Sequence, residues 1–313
     1  MRLLVVGAGS TGGYFGGRLV QAGRDVTFLV RPARAAKLRE AGLRILSPHG
    51  DATLHPTIVT TEGLAGTYDA ILMTVKAYQL DAAMADIAPA VGPETMILPV
   101  LNGMRHMDGL AQRFSPRNVV GCALKVSTTL DDDGRVVQLS TLQSLTYGEL
   151  DGALTPRIAA LDEFLRGAPI GAQLSRSIRR EMWEKWTLLA ALGAITCLMR
   201  GTIGEIEACA GGAAFASRLL DEVVGIIAVV GVAPSDGFVA AARAMLTERG
   251  SPLAASMFRD LQNGRPTEAE AIVGDVLRRG AEVGVNAPLL SAAYVSLAVH
   301  QNRIGGAPSS ASR

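Results

Sequence analysis

The sequence predicts an α/β fold in two parts, a doubly wound parallel sheet at the N-terminus followed by an all-α C-terminal domain. Three observations support this. Leu3-Leu4-Val5-Val6 runs straight into Gly7-Ala8-Gly9-Ser10-Thr11-Gly12, glycines spaced G-x-G-x-x-G, and then into a helix-compatible stretch from Tyr14 to Gln21. From Arg2 to about Gly148 short apolar strands alternate with helical segments, the texture of a mostly parallel sheet covered by helices. After about Ala168 the chain reads as long helices divided by glycine, serine and proline breaks. Strand, glycine loop and helix together make the sheet a Rossmann-type one.

The elements follow in order. Arg2–Val6 is the first strand, Gly12–Gln21 a helix, Ala22-Gly23-Arg24 a turn and Asp25–Val30 the second strand. A helix near Arg34–Ala41 precedes two short strands, Leu43–Leu46 and Thr53–Val59, about a Ser-Pro-His-Gly-Asp turn. Ala70–Val75 is a strand, Tyr78–Ala90 a helix, and Thr95–Leu101 and Val119–Val126 are strands. Val136–Leu139 and Ser144–Tyr147 flank a turn-rich linker as edge strands. Helices are then expected at Ser177–Met199, Ala213–Val230, Ser235–Thr247, Ala254–Gln262, Thr267–Val283 and Leu289–Gln301. The expected division is a nucleotide-binding domain at 1–170, a helical substrate and catalytic domain at 171–304, and a disordered Gly/Pro/Ala/Ser tail at 305–313.

Composition narrows the function classes. A chain of 313 residues with 49% hydrophobic and 19% charged residues can bury two cores and is not a disordered chain. Thirty Lys and Arg against 29 Asp and Glu leave a formal charge of +1, so no global field favours nucleic acid or an anionic membrane. Cys122, Cys197 and Cys209 have no paired spacing and no His cluster nearby, which suggests neither a disulfide framework nor a metal site. Arg2 is followed at once by a strand rather than by a signal-peptide pattern, and the apolar runs Thr187–Met199 and Val223–Ala233 are too short to span a membrane. A cytoplasmic protein acting on a small molecule is the expectation.

The glycine loop is a dinucleotide cradle in this context. Gly7 permits the tight turn, Gly9 lets a pyrophosphate approach the backbone and Gly12 lets the helix pack close to the strand, with the backbone of Ala8, Ser10 and Thr11 completing the cradle. A carboxylate at the end of the second strand would accept from an adenosine ribose hydroxyl. That stretch, Phe28-Leu29-Val30-Arg31-Pro32-Ala33-Arg34, has none, and Arg31 stands about 20 residues after the glycines, where a guanidinium can meet a 2′-phosphate. NADPH is therefore favoured, although Arg31 also reads as a solvated residue at a strand end. Lys76 closes the Ala70–Val75 strand and Asn102 the Thr95–Leu101 strand, where ligands gather in open parallel sheets. Each has an ordinary reading too, as a surface lysine and as the start of a turn at Asn102-Gly103.

Lys185 is the remaining anomaly. Three back is Met182, and 3, 4 and 7 ahead are Leu188, Leu189 and Leu192, which puts this lysine on the apolar stripe of its helix. Pairing with Glu181 or a snorkelling stem would account for it. So would a proton donor for a carbonyl that receives hydride.

In combination, Lys76, Asn102-Gly103-Met104, Glu181-Met182-Trp183-Glu184-Lys185, Ser256-Met257-Phe258-Arg259-Asp260, Gly264-Arg265 and Thr267-Glu268 resemble the ketopantoate reductase (2-dehydropantoate 2-reductase) family over residues 1 to 300. The resemblance implies that Gly7, Gly9 and Gly12 bind the pyrophosphate of NADPH and Arg31 its 2′-phosphate. It further implies that Lys76, Asn102 and Glu268 meet the cofactor, that Asn102, Ser256 and Glu268 meet the substrate, and that Lys185 is the catalytic acid. A 2-oxo acid is the implied small-molecule partner, in pantothenate biosynthesis, with no nucleic acid or membrane and with a homodimer as a compatible assembly. Glu268 also reads as a helix-start residue beside a Thr267/Glu270 capping pair.

Four positions depart from the family pattern. Leu189, Gly193, Ile203 and Leu253 stand where pantoate-forming members carry asparagines. Losing hydrogen-bonding amides weakens recognition of a small polar hydroxy-keto acid, so a bulkier or more apolar oxo acid is an open alternative to ketopantoate. A 3-hydroxy acid dehydrogenase and a non-catalytic NADPH-binding protein are the other readings kept.

Overall fold

The chain alternates strand and helix before giving way to helices, and the computed structural model describes residues 1–305. The elements are β1 (Leu3–Val6), α1 (Ser10–Gln21), β2 (Val26–Leu29), α2 (Pro32–Ala41), β3 (Leu43–Leu46), β4 (Ala52–Leu54) and β5 (Thr57–Val59). There follow β6 (Ala70–Met73), α3 (Leu80–Ile87), β7 (Met96–Pro99), α4 (Arg105–Arg113), β8 (Gly121–Leu130), β9 (Val136–Gly148), α5 (Pro156–Leu165) and β10 (Ala172–Leu174). The helical part comprises α6 (Ile178–Met199), α7 (Ile203–Glu207), α8 (Gly212–Val230), α9 (Asp236–Leu246), α10 (Ser256–Gln262), a π-helical turn (Glu270–Gly274), α11 (Asp275–Glu282) and α12 (Pro288–Gly305). Two compact units result, one of residues Met1–Leu101 and His106–Arg179, the other of Asn102–Arg105 and the described residues from Arg180 onward.

The first unit holds two sheets. In one, the order is β5-β2-β1-β6-β7, and each neighbouring pair is parallel. The order reverses direction at β1, so the loop leaving Val6 opens at the crevice where such sheets bind ligands. The second sheet runs β10-β9-β3-β4, with β8 also pairing β9. Helix α1 is covered on two sides and has small residues on both. A Cβ on Gly16 would meet the Phe28 ring at 2.5 Å, and one on Gly17 would meet Ile45 at 2.7 Å. The core joins both sheets through Val5, Phe15, Leu19, Phe28, Leu43, Ile45, Leu72 and Leu145, all buried.

Two strand expectations are corrected. Thr53–Val59 is two strands in two sheets. Leu54 pairs antiparallel with Leu43, whereas Thr57 pairs parallel with Thr27, and Pro56 between them has no N–H to continue a ladder. The supposed edge strands at 136–139 and 144–147 are one 13-residue strand, β9, which pairs with β8, β3 and β10. The interruption has a cause: the ladder jumps from Val126↔Gln143 to Thr128↔Gln138, so residues 139–142 bulge out and Leu139 and Leu142 are exposed.

In the helical unit, Thr267–Val283 is not one α-helix but the π-helical turn followed by α11. The capping pair expected there does not form. Thr267 N donates to Gln301 Oε1 at 2.9 Å, and Glu270 bonds elsewhere. Other helix starts are held from outside: Glu184 Oε1 accepts from Ser235 N and Oγ before α9, and Glu222 accepts from the Leu289 and Leu290 amides of α12. Thr202 and Glu205 form a reciprocal capping box on α7. No described helix is long and apolar enough to cross a membrane. The expected disordered tail lies outside the described residues except for Gly305, which ends α12.

Candidate active site

The glycine loop is set by three features of β1 and its neighbours. Gly7 has φ +97°, in the left-handed region, which turns the chain out of β1. Its N–H donates to Leu29 O at 2.9 Å. Thr74 Oγ1, at the end of β6, donates to Val6 O at 2.7 Å and lies 3.2 Å from Gly7 O. A Cβ on Gly12 would stand 2.2 Å from Gly7 O and 2.3 Å from that same Thr74 hydroxyl, so the first turn of α1 packs directly on the loop. Gly9, the N-cap of α1, is exposed, has no heavy atom within 4 Å of where a Cβ would lie, and leaves the helix start without a side-chain cap. Uncapped amides at the positive end of a twelve-residue helix beside open backbone suit a pyrophosphate. The nucleotide therefore fits the loop.

A cavity of about 300 Å³ opens from the loop and is walled by Gly7, Ala8, Gly9, Arg31, Arg34 and Glu62 among others. Arg31 is exposed at the N-cap of α2. Arg34, which sequence reasoning passed over, is the better anchored. Its Nε donates to Ala8 O at 3.1 Å, and both Nη atoms reach Gly134 O at 3.2 Å. Partial burial draws its guanidinium below the ordinary arginine value. Glu62 and Asp86 also line the cavity, although no carboxylate ends β2. Glu62 comes from another turn, and hydrogen bonds from its own backbone amide and the Thr60 side chain hold its carboxyl below the usual range. Lys76 is exposed, and the cavity wall takes its neighbours Val75 and Gln79 instead. Its amide donates to Gln79 Oε1 at 3.4 Å.

The helical unit brings together residues far apart in the chain. Asn102 Nδ2 donates to Glu268 Oε2 at 3.4 Å across 166 positions. Gly103, with φ +84°, makes the approach possible, since a Cβ there would lie 2.2 Å from Ala271 O. Lys185 is half-buried on α6 between Trp183 and Trp186, which are 5% and 1% exposed. Ser256 opens α10 and is exposed.

The four departures from the family asparagines fall in two environments. Leu189 and Leu253 are half-buried, and the Ile203 amide donates to Leu253 O at 2.9 Å with the Ile203 side chain in the core. Gly193 is buried against Met257, whose Cε would lie 2.6 Å from an added Cβ. An asparagine at 193 would therefore require Met257 to move.

The comparisons with known proteins agree along the chain. The family model described as ketopantoate reductase PanE/ApbA matches residues 3–152, and that of its C-terminal domain matches residues 177–301. The uncharacterized oxidoreductase YkpB of Bacillus subtilis (strain 168) is 33% identical over 301 residues, 96% of this chain and 99% of the relative. A solved 2-dehydropantoate 2-reductase from Geobacter metallireducens GS-15 superposes with a TM-score of 0.84 at 26% identity, covering 96% of this chain and 99% of the other. A D-mandelate dehydrogenase solved with NADH and anilino(oxo)acetate shares the fold at a TM-score of 0.84 and 21% identity, over 97% of this chain and 99% of its own.

Proposed function

The chain belongs to the ketopantoate reductase family, and from that premise we infer that it reduces a 2-oxo acid to the 2-hydroxy acid with NADPH. The observation that supports the cofactor is the cavity at the end of β1, where an uncapped helix start and open Gly9 backbone stand beside Arg31 and Arg34. Gly7 to Gly12 would hold the pyrophosphate and Arg31 the 2′-phosphate. Lys76, Asn102 and Glu268 are the further cofactor contacts. The first unit is thus the nucleotide-binding domain and the helical unit the substrate and catalytic one.

When bound, the nicotinamide supplies a hydride to the carbonyl carbon of the oxo acid. The carbonyl π pair then passes to oxygen, which takes a proton from the Lys185 ammonium, so that a hydroxyl forms and Lys185 is left neutral until solvent reprotonates it. Ser256 Oγ donates to the substrate carboxylate. Asn102 donates to the carbonyl oxygen and is itself oriented by Glu268. No amide is available at 189, 193, 203 or 253, and Gly193 is closed by Met257. The side-chain end of the substrate accordingly meets fewer donors than a pantoate precursor needs, which makes a more apolar 2-oxo acid as good a candidate substrate as ketopantoate.

The deciding experiment is NADPH oxidation across 2-oxo acids of increasing side-chain size, with ketopantoate and phenylglyoxylate included. A kcat/KM that rises with apolar bulk supports the broader substrate, and a maximum at ketopantoate restores the narrower one. Tight NADPH binding with no turnover on any of them would overturn the reductase reading.

A further inference from the structure

The turn Glu270–Gly274 is π-helical, between the single α residue Ala269 and α11. Such a turn accommodates an extra residue, which widens the helix locally and displaces carbonyls from the regular ladder. Two carbonyls of this turn face other parts of the helical unit. Ile272 O accepts the buried indole N–H of Trp186 at 2.9 Å, and Ala271 O lies against Gly103. The carboxylate of Glu270 accepts from the Tyr294 hydroxyl at 2.5 Å and sits 3.9 Å from the Arg105 guanidinium. The turn also begins two residues after Glu268, whose carbonyl accepts from Ile272 N at 3.0 Å.

Three of these contacts come from segments that carry a residue of the site. Trp186 follows Lys185, Gly103 follows Asn102, and Arg105 is three residues beyond Asn102. One irregular turn is therefore fastened to the three segments that carry Lys185, Asn102 and Glu268. We propose that the π-helical turn sets the register of the catalytic site and that Trp186 is a positioning residue, coupling the helix of Lys185 to that turn. The inference rests on the role given to Lys185 under the proposed function. Its physical basis is rotational: each helical residue turns the chain by about 100°, so removing the extra residue would carry the Ile272 carbonyl away from Trp186 and the Ala271 carbonyl away from Gly103. A buried indole N–H that loses its acceptor is costly, and that cost favours the π geometry in this chain.

Trp186→Phe tests it by keeping an aromatic ring and removing the donor. The expected result is a kcat lowered about tenfold with the KM for NADPH unchanged, since a lost hydrogen bond and a shifted acid act on the chemical step. Backbone amide exchange over 270–275 should speed up while the thermal midpoint moves by no more than about 4 °C. Unchanged kcat, or a lowered kcat with unchanged exchange in that turn, would overturn the inference. If the Phe variant does not fold, Tyr294→Phe, which removes the hydroxyl that donates to Glu270 in the same turn, is read for the same split between kcat and KM and the same local exchange. Lys185→Ala run in parallel separates the two levels. Turnover surviving in Lys185→Ala removes the proposed acid itself, whereas an inactive Lys185→Ala beside a fully active Trp186→Phe removes only the register-setting role.

Discussion

Arg34 Nε donates to the carbonyl oxygen of Ala8 at 3.1 Å, so the start of α2 is hydrogen-bonded to the glycine loop. Arg31 lines the same cavity but is exposed and has no side-chain role in capping α2. The two arginines should therefore separate in nucleotide binding. Arg31→Ala is expected to raise the NADPH dissociation constant about tenfold or more and to leave NADH unaffected, because only NADPH carries the 2′-phosphate. Arg34→Ala should weaken both nucleotides, since it frees the Ala8 carbonyl at the pyrophosphate end. Fluorescence titration of each variant with each nucleotide measures this, and equal losses for Arg31→Ala would remove the phosphate contact.

Gly12 has no room for a side chain. With Gly7 O and Thr74 Oγ1 both nearer than 2.4 Å to an added Cβ, Gly12→Ala must push the helix start off the loop, at a cost of about 1–3 kcal/mol by overpacking. Thermal unfolding should show the loss, and NADPH titration should show weakened binding. A variant with unchanged stability and affinity would mean that the loop yields freely.

Lys185→Ala should abolish reduction while NADPH binding stays nearly intact, because the substitution removes the acid and leaves the nucleotide cavity untouched. Steady-state turnover and nucleotide titration on the same preparation provide the two readings. Retained turnover would require another proton donor.

Acid should expose the Glu149–Arg157 pair. Glu149 is buried, its Oε2 lies 2.6 Å from Arg157 Nη2, and Arg157 holds its carboxyl below the ordinary value of 4.5. A carboxyl depressed in the folded state stabilises the fold above its unfolded pKa, and that contribution disappears as pH falls from 4.5 through the folded value. Glu149→Gln should be less stable at pH 7 by about 3 kcal/mol, as it strands a partly buried guanidinium. Its thermal midpoint should converge on that of the parent chain as the pH falls below 4.5. Midpoints measured from pH 3 to pH 7 would decide, and a constant gap across that range would discount the pair.

Features with a local cause were legible in the sequence. The G-x-G-x-x-G loop after β1 could be read because a positive-φ turn and a close helix start demand glycine at fixed spacing, and Gly7 and Gly12 meet those demands. Lys185 stood out because a 3.6-residue period exposes a charge on an apolar stripe, and the spaced motifs around it pointed to the family that the comparisons show.

Pairing and packing were decided only in three dimensions. The split of 53–59 between two sheets depends on which strand each half meets, and the length of β9 is concealed by a bulge that interrupts its alternation. Arg34 at Ala8, Glu62 in the cavity wall, Asn102 against Glu268 and the π-helical turn against Trp186 all join residues that no local period relates. Backbone sterics and periodicity act over a few residues and are written in the chain. Which distant carbonyl a buried donor reaches follows from how the whole core closes, and that belongs to the tertiary structure.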